Sequence, residues 1–203
     1  MKAAFMLKHL LFLIAAMVGA SQLAGCATSS AGGPGMILTY IGLIEGRSIS
    51  IESAKLPSGV DFAHAGSFGG SRPRAWRSAG KTMGGSGDRR GLPEWVEYVW
   101  QEPEYPGLKS ADFATPEAFS EAVTEKFRRL PYKTQRVMVR ERVPLDVVHE
   151  AVESRNNAKP GKVPEKMLWI YFVWTDDGVK MHWSLKGVKP QREGGDDIDA
   201  MYR

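Results

Sequence analysis

Short strand-like stretches interrupted by one well-capped helix predict an α+β domain: a twisted antiparallel sheet of about five to seven strands with one long and one short helix packed on it. Three stretches carry that prediction. In residues 94–100, Val96, Tyr98 and Trp100 share one face of an alternating strand. Residues 116–130 place Phe119, Val123, Phe127 and Leu130 at helical spacing, so their aromatic stripe is predicted to be core. Residues 167–185 form the clearest hairpin, because the apolar run Met167-Leu168-Trp169-Ile170-Tyr171-Phe172-Val173-Trp174 meets the turn residues Thr175-Asp176-Asp177-Gly178.

The other elements follow in chain order. Residues 36–44 are apolar on both faces, as a buried strand would be, and Glu45-Gly46-Arg47 makes a turn. Residues 48–56 alternate with Ile49 and Ile51 on one side, which predicts a returning hairpin strand. The helix at 116–130 has Thr115 as its cap, Pro116 in the first turn and Glu117 at the positive end of its dipole. Lys126, Arg128 and Arg129 sit near its other end, and Pro103 and Pro106 keep helix out of 101–107. Residues 134–143 alternate again, with Val137, Val139 and Val143 inward and Arg136, Arg140 and Arg142 outward. Pro144 opens a short second helix to about residue 154. In the last strand Val179, Met181, Trp183 and Leu185 face in, leaving Lys180, His182, Ser184 and Lys186 on a wet face. Residues 191–203 are predicted to be a frayed polar tail.

The first 26 residues have a different character. Lys2, Lys8 and His9 precede an apolar run over 10–20, and Leu23-Ala24-Gly25-Cys26 closes the stretch. The run is too short for a bilayer-crossing helix, which needs about 20 apolar residues. It suits a secretory signal core instead. Leu-Ala-Gly-Cys resembles a bacterial lipobox, which implies cleavage between Gly25 and Cys26, lipidation of Cys26 and attachment to a bilayer. Ala27 in place of Asp implies, by resemblance to sorting rules, the outer membrane facing the periplasm. The organisation expected is a signal peptide over 1–25, a flexible tether over 26–35, one α+β domain over 36–190 and the tail over 191–203.

Removing 25 residues from 203 leaves a mature chain of 178, which fits one domain. Losing Lys2 and Lys8 from the 27 basic residues leaves 25 against 23 acidic ones, so the balance is nearly neutral and does not point to nucleic acid. The single cysteine, once acylated, leaves no thiol for a disulfide, a nucleophile or a metal.

Residues 65–91 read as one long Gly/Arg-rich loop within the domain. Arg72, Arg74, Arg77, Lys81, Arg89 and Arg90 stand there against Asp88 alone, and Trp76 is its one tryptophan. A loop of this length is functional or disordered. Its functional reading is a cationic partner-binding surface anchored by Trp76, since Trp and Arg are common interface anchors. The match of residues 75–82 to a relaxed phosphate loop lacks a preceding strand and a following helix, so no nucleotide is expected.

No catalytic set, metal or cofactor is expected either. His64, His149 and His182 have no helical i, i+4 partner, and Ser67, His64 and Asp61 are too close in sequence to form a triad easily. Glu97 and Glu102 are conceivable as an acid–base pair, though carboxylates near a strand end are usually just solvated.

The lipobox, the early β-hairpin, the Gly-rich loop reaching Gly84-Gly85-Ser86-Gly87 and Leu92-Pro93 ahead of the strand from Trp95 to Trp100 together resemble a group of proteobacterial envelope lipoproteins. Some of these are similar to immunity proteins that accompany type VI secreted phospholipases. The resemblance implies a non-catalytic binder whose protein partner is a secreted lipase. The alternative is a structural or house-keeping envelope lipoprotein with no toxin partner, and the more distant one is a periplasmic hydrolase.

Overall fold

The computed structural model describes residues 35–70, 75–84, 91–104 and 107–202. Among them the α+β class holds: nine strands in two sheets accompany two helices. Strands β1 (Met36–Gly42), β4 (Lys81–Gly84), β7 (Met167–Thr175), β8 (Gly178–Lys186) and β9 (Arg192–Gly195) form the first sheet in the order β4-β1-β7-β8-β9. Strands β2 (Ser48–Lys55), β3 (Ser67–Gly69), β5 (Trp95–Gln101) and β6 (Lys133–Met138) form the second in the order β3-β2-β5-β6.

The expected single antiparallel sheet is thus two sheets, and β1 and β2 are not a hairpin. β1 runs parallel to β7 from Met36 opposite Leu168 to Gly42 opposite Trp174, while β2 crosses to pair with β5. The physical reason lies in β1 itself. Apolar on both faces, it needs cover on both sides and neighbours on both edges, and β4 and β7 supply the edges.

The two sheets pack inner face to inner face around aromatic rings. Tyr98 of β5 lies edge-on to both Phe172 and Trp174 of β7, with 5.2 Å between ring centroids in each case. Phe68 of β3 meets Trp174 at 5.3 Å. Such perpendicular pairs set the positive ring edge against the negative face and add to the burial of area. Val96, Tyr98 and Trp100 all face this core as their alternation predicted. So do Val179, Met181, Trp183 and Leu185 of β8, and the Asp176-Asp177 turn joins the hairpin where the sequence placed it. Val137, Val139 and Val143 are buried too, although the strand ends at Met138 and a short 3-10 turn carries Arg140–Arg142.

Helix α1 (Pro116–Arg129) has Thr115 as its cap, the hydroxyl accepting from the Ala118 N–H at 3.2 Å. Its apolar stripe is only half-buried, contrary to the expectation of core. The Gln101 side-chain amide holds its far end instead, donating to the carbonyls of Phe127 at 2.8 Å and Leu130 at 2.7 Å. Helix α2 (Leu145–Asn157) has 13 residues against the 14 of α1, so the pair is not one long and one short. Val147 and Ala151 carry α2 into the main core.

Two further expectations are corrected. Residues 65–91 are not one loop, because β3, a 3-10 turn at Trp76–Ser78 and β4 lie within them. Nor is the tail frayed through residues 192–202. β9 pairs with β8, Ile198 is buried, and the face of β8 predicted to be wet is covered: His182 is 6% and Ser184 0% exposed. The cause is apolar surface on the outer side of the first sheet, where Ile41, Leu43, Trp76, Tyr171, Val173 and Ile198 form a second, smaller core.

Candidate binding surface

The described part of the stretch predicted to be cationic includes β4, which lies antiparallel to β1 at the edge of the first sheet. Gly80 leads into β4 with φ +91°, and a Cβ there would lie 2.2 Å from the Tyr40 carbonyl oxygen. Only glycine lets the chain approach β1 so closely. Of the predicted binding residues, Trp76, Arg77 and Lys81 are described. Arg72, Arg74, Arg89 and Arg90 lie outside the described residues, as do Gly25 and Cys26.

Trp76 is not an exposed anchor. It is 3% exposed, with its ring edge-on to Tyr171 at 5.4 Å and His182 at 5.3 Å. Its indole N–H donates to Asp199 Oδ1 at 2.7 Å. The side chain is therefore spent on the second core, and the reading that made it a partner's foothold is corrected on that ground. Arg77 stacks its guanidinium 4.5 Å from the Trp76 ring centroid and reaches Asp199 Oδ2 at 3.1 Å and Glu193 Oε1 at 3.4 Å. The hydrogen bond from Trp76, opposed by partial burial and aided by Arg77, holds the Asp199 carboxyl below its ordinary value. Lys81 stays exposed, its ammonium donating to the carbonyls of Ser67 and Ala65, which ties β4 to β3.

Asp199, Glu193 and Asp196 are the residues that sequence reasoning missed. Asp196 Oδ2 accepts from Arg142 at 2.5 Å and from the Met181 N–H at 2.8 Å, pinning the C-terminal segment across the sheet. His182 Nδ1 lies 3.3 Å from the Asp196 carbonyl oxygen and its Nε2 lies 3.7 Å from Glu193 Oε2. The signal that was available is Ile198, an isolated large aliphatic in a polar stretch.

The groups considered for chemistry are each engaged separately. His64 Nδ1 accepts from the Gly66 N–H at 3.3 Å, Ser67 Oγ lies 3.1 Å from Ser50 Oγ, and Asp61 pairs with Lys55 at 2.5 Å. Glu97 pairs with Arg136 at 3.1 Å. Glu102, with its side chain 6% exposed, takes Arg47 at 2.6 Å, Lys133 at 2.8 Å and the Trp100 indole N–H at 2.9 Å. Burial alone would raise its pKa, but the Lys133 and Trp100 hydrogen bonds and the charges of Lys133 and Arg47 prevail and lower it. Lys81 and Thr82 of the phosphate-loop match lie in strand β4, not at a helix start whose N–H groups could converge on phosphate. Among the described residues no group of three or more His, Cys, Asp or Glu is placed to hold a metal ion, and no helix is long and apolar enough to cross a membrane.

No protein-family model, curated protein or solved structure matches the chain.

Proposed function

We propose that the chain is a lipid-anchored binding lipoprotein of the cell envelope, of the immunity type that neutralises a secreted antibacterial phospholipase by direct contact. Leu23-Ala24-Gly25-Cys26 carries the anchored part of this reading. Support for the binding part comes from the crowding of Arg72, Arg74, Arg77, Lys81, Arg89 and Arg90 into a stretch that reaches the edge strand β4. An acidic face of a partner protein is the complement of such a surface, and exposed Lys and Arg steer its approach. Trp76 supports the 3-10 turn from beneath, and because Arg77 is engaged by Asp199 and Glu193, the charge offered to a partner rests mainly on the other basic residues of the stretch.

The experiment is inhibition of phospholipid hydrolysis. If a lipase and a secretion spike protein are encoded beside the gene, that lipase is titrated with the purified full chain; neighbours of neither kind count against the immunity reading. Stoichiometric loss of lipase activity is expected, and replacing Arg72, Arg74, Arg89 and Arg90 by alanine together should abolish it. Undiminished hydrolysis at excess chain counts against the immunity reading and favours the house-keeping one.

A further inference from the structure

At the end of the first sheet where β1 and β7 begin, a recess of about 540 Å³ opens between Gly35, Met36, Met167, Arg155 and the turn residues Lys159, Gly161, Lys162 and Val163. Its floor is mainly apolar. Its rim is cationic: among the described residues Arg155, Lys159 and Lys162 line it and no acidic residue does.

The rim is built by a tight turn. The Lys162 N–H donates to the Lys159 carbonyl at 2.9 Å, and Gly161 takes φ +74°, which leaves both lysines exposed. Val163 follows at 72% exposure. Gly35 passes beside the turn's supporting helix, where a Cβ on it would lie 3.6 Å from the Arg155 side chain. Nearby acids weaken the field only in part. Glu150 is held by Lys166 and Arg192, while Glu153 and Glu165 line an adjoining recess that shares Lys159 and Lys162.

Position along the chain turns this patch into a site. Gly35 follows Cys26 by nine positions, and a Gly/Ser-type chain of that length spans about 16 Å root-mean-square. A lipid anchor at Cys26 would therefore keep Gly35 and the recess close to the head-group layer. Lysines at such a surface attract anionic lipid strongly, and an exposed aliphatic among them gains by entering the interface.

We propose that this recess is a membrane-facing cradle: Lys159 and Lys162 hold anionic phospholipid head groups of the bilayer carrying the anchor, and Val163 and Met167 meet the glycerol and upper acyl region. The proposal rests on the anchored reading above. It fixes the orientation of the domain, with the turn 159–162 toward lipid.

The test uses the full chain, processed in its host, purified in detergent and reconstituted in nanodiscs doped with a photoactivatable phosphatidylglycerol or phosphatidylcholine. Irradiation should crosslink residues 155–167 in the phosphatidylglycerol discs, and Lys159→Glu with Lys162→Glu should lower that yield about tenfold. The phosphatidylcholine discs should give a low yield with either chain. Equal yield from wild type and the double variant, or crosslinks confined to other segments, overturns the cradle. Intact mass of the same sample reports whether Cys26 is acylated, so a missing anchor is read separately from a missing cradle. A chain without the anchor is assayed with the same lipids in vesicles, against the same two outcomes.

Discussion

The Gln135 side-chain amide closes on the backbone of Val179 from both sides. Its Nε2 donates to the Val179 carbonyl at 2.8 Å and its Oε1 accepts from the Val179 N–H at 2.7 Å. Gln135 belongs to β6 at the edge of the second sheet and Val179 to β8 of the first, so one side chain imitates a ladder step between two sheets that have no backbone pairing there. Gly178 makes the approach possible, since a Cβ on it would lie 2.4 Å from Gln135 Oε1.

Gln135→Leu should cost about 1–3 kcal/mol, because it leaves a backbone donor and acceptor without partners. In a domain of this size that is a fall in Tm of about 2–4 °C per kcal/mol. Gln135→Glu keeps the acceptor for the Val179 N–H but sets a carboxylate oxygen against the Val179 carbonyl, so it should also destabilise. Urea denaturation checks both, and an unchanged midpoint for either would remove the clasp from the account.

Trp76→Ala should cost about 3–5 kcal/mol, as expected for loss of a large core aromatic. Trp76→Phe keeps most of the ring burial but leaves Asp199 without its indole donor, so about 1 kcal/mol is expected. Had Trp76 been an exposed anchor, both substitutions would leave the denaturation midpoint in place.

The acid limb of stability should carry the mark of Glu102. Its folded pKa lies below its unfolded one, so its stabilising contribution is complete above the ordinary glutamate value of about 4.3 and is lost as pH falls through the folded value. Glu102→Gln should therefore be less stable than wild type at neutral pH, with the gap narrowing below about pH 4. A gap that stays constant from pH 7 to pH 3, in urea titrations at each pH, would contradict the pairing with Lys133 and Arg47.

Hydrogen exchange should separate the two helices. α1 buries none of its side chains fully and hangs on the Gln101 amide, whereas α2 sinks Val147 and Ala151 into the core. Amides of α1 should exchange faster than those of α2, and Gln101→Leu should speed the last turn of α1 further. Equal protection in both helices would show that α1 is docked more firmly than its burial implies.

Local patterns were legible in the sequence where one residue type decides the outcome. Thr115 capped its helix, the alternation of Val96, Tyr98 and Trp100 chose the buried face, and Asp176-Asp177-Gly178 turned the hairpin. Strand partnership was not legible, because period-two alternation reports faces and says nothing about edges. That is why β1 was expected beside β2 when it lies between β4 and β7. The same gap hid the second core. Trp76, His182 and Ile198 are far apart in the chain, and only the outer side of the first sheet sets Trp76 against His182 and gathers it with Ile198 in one cluster. For the binding surface, sequence located the cationic stretch but could not tell a supporting tryptophan from an exposed one.

Membrane attachment through Cys26 is tested most directly by metabolic labelling with a radioactive fatty acid in a bacterial host. The wild-type chain should take up label and sediment with the envelope, and Cys26→Ser should do neither. An unlabelled wild-type chain, recovered soluble in the cytosol with residues 1–25 still attached, would contradict the account.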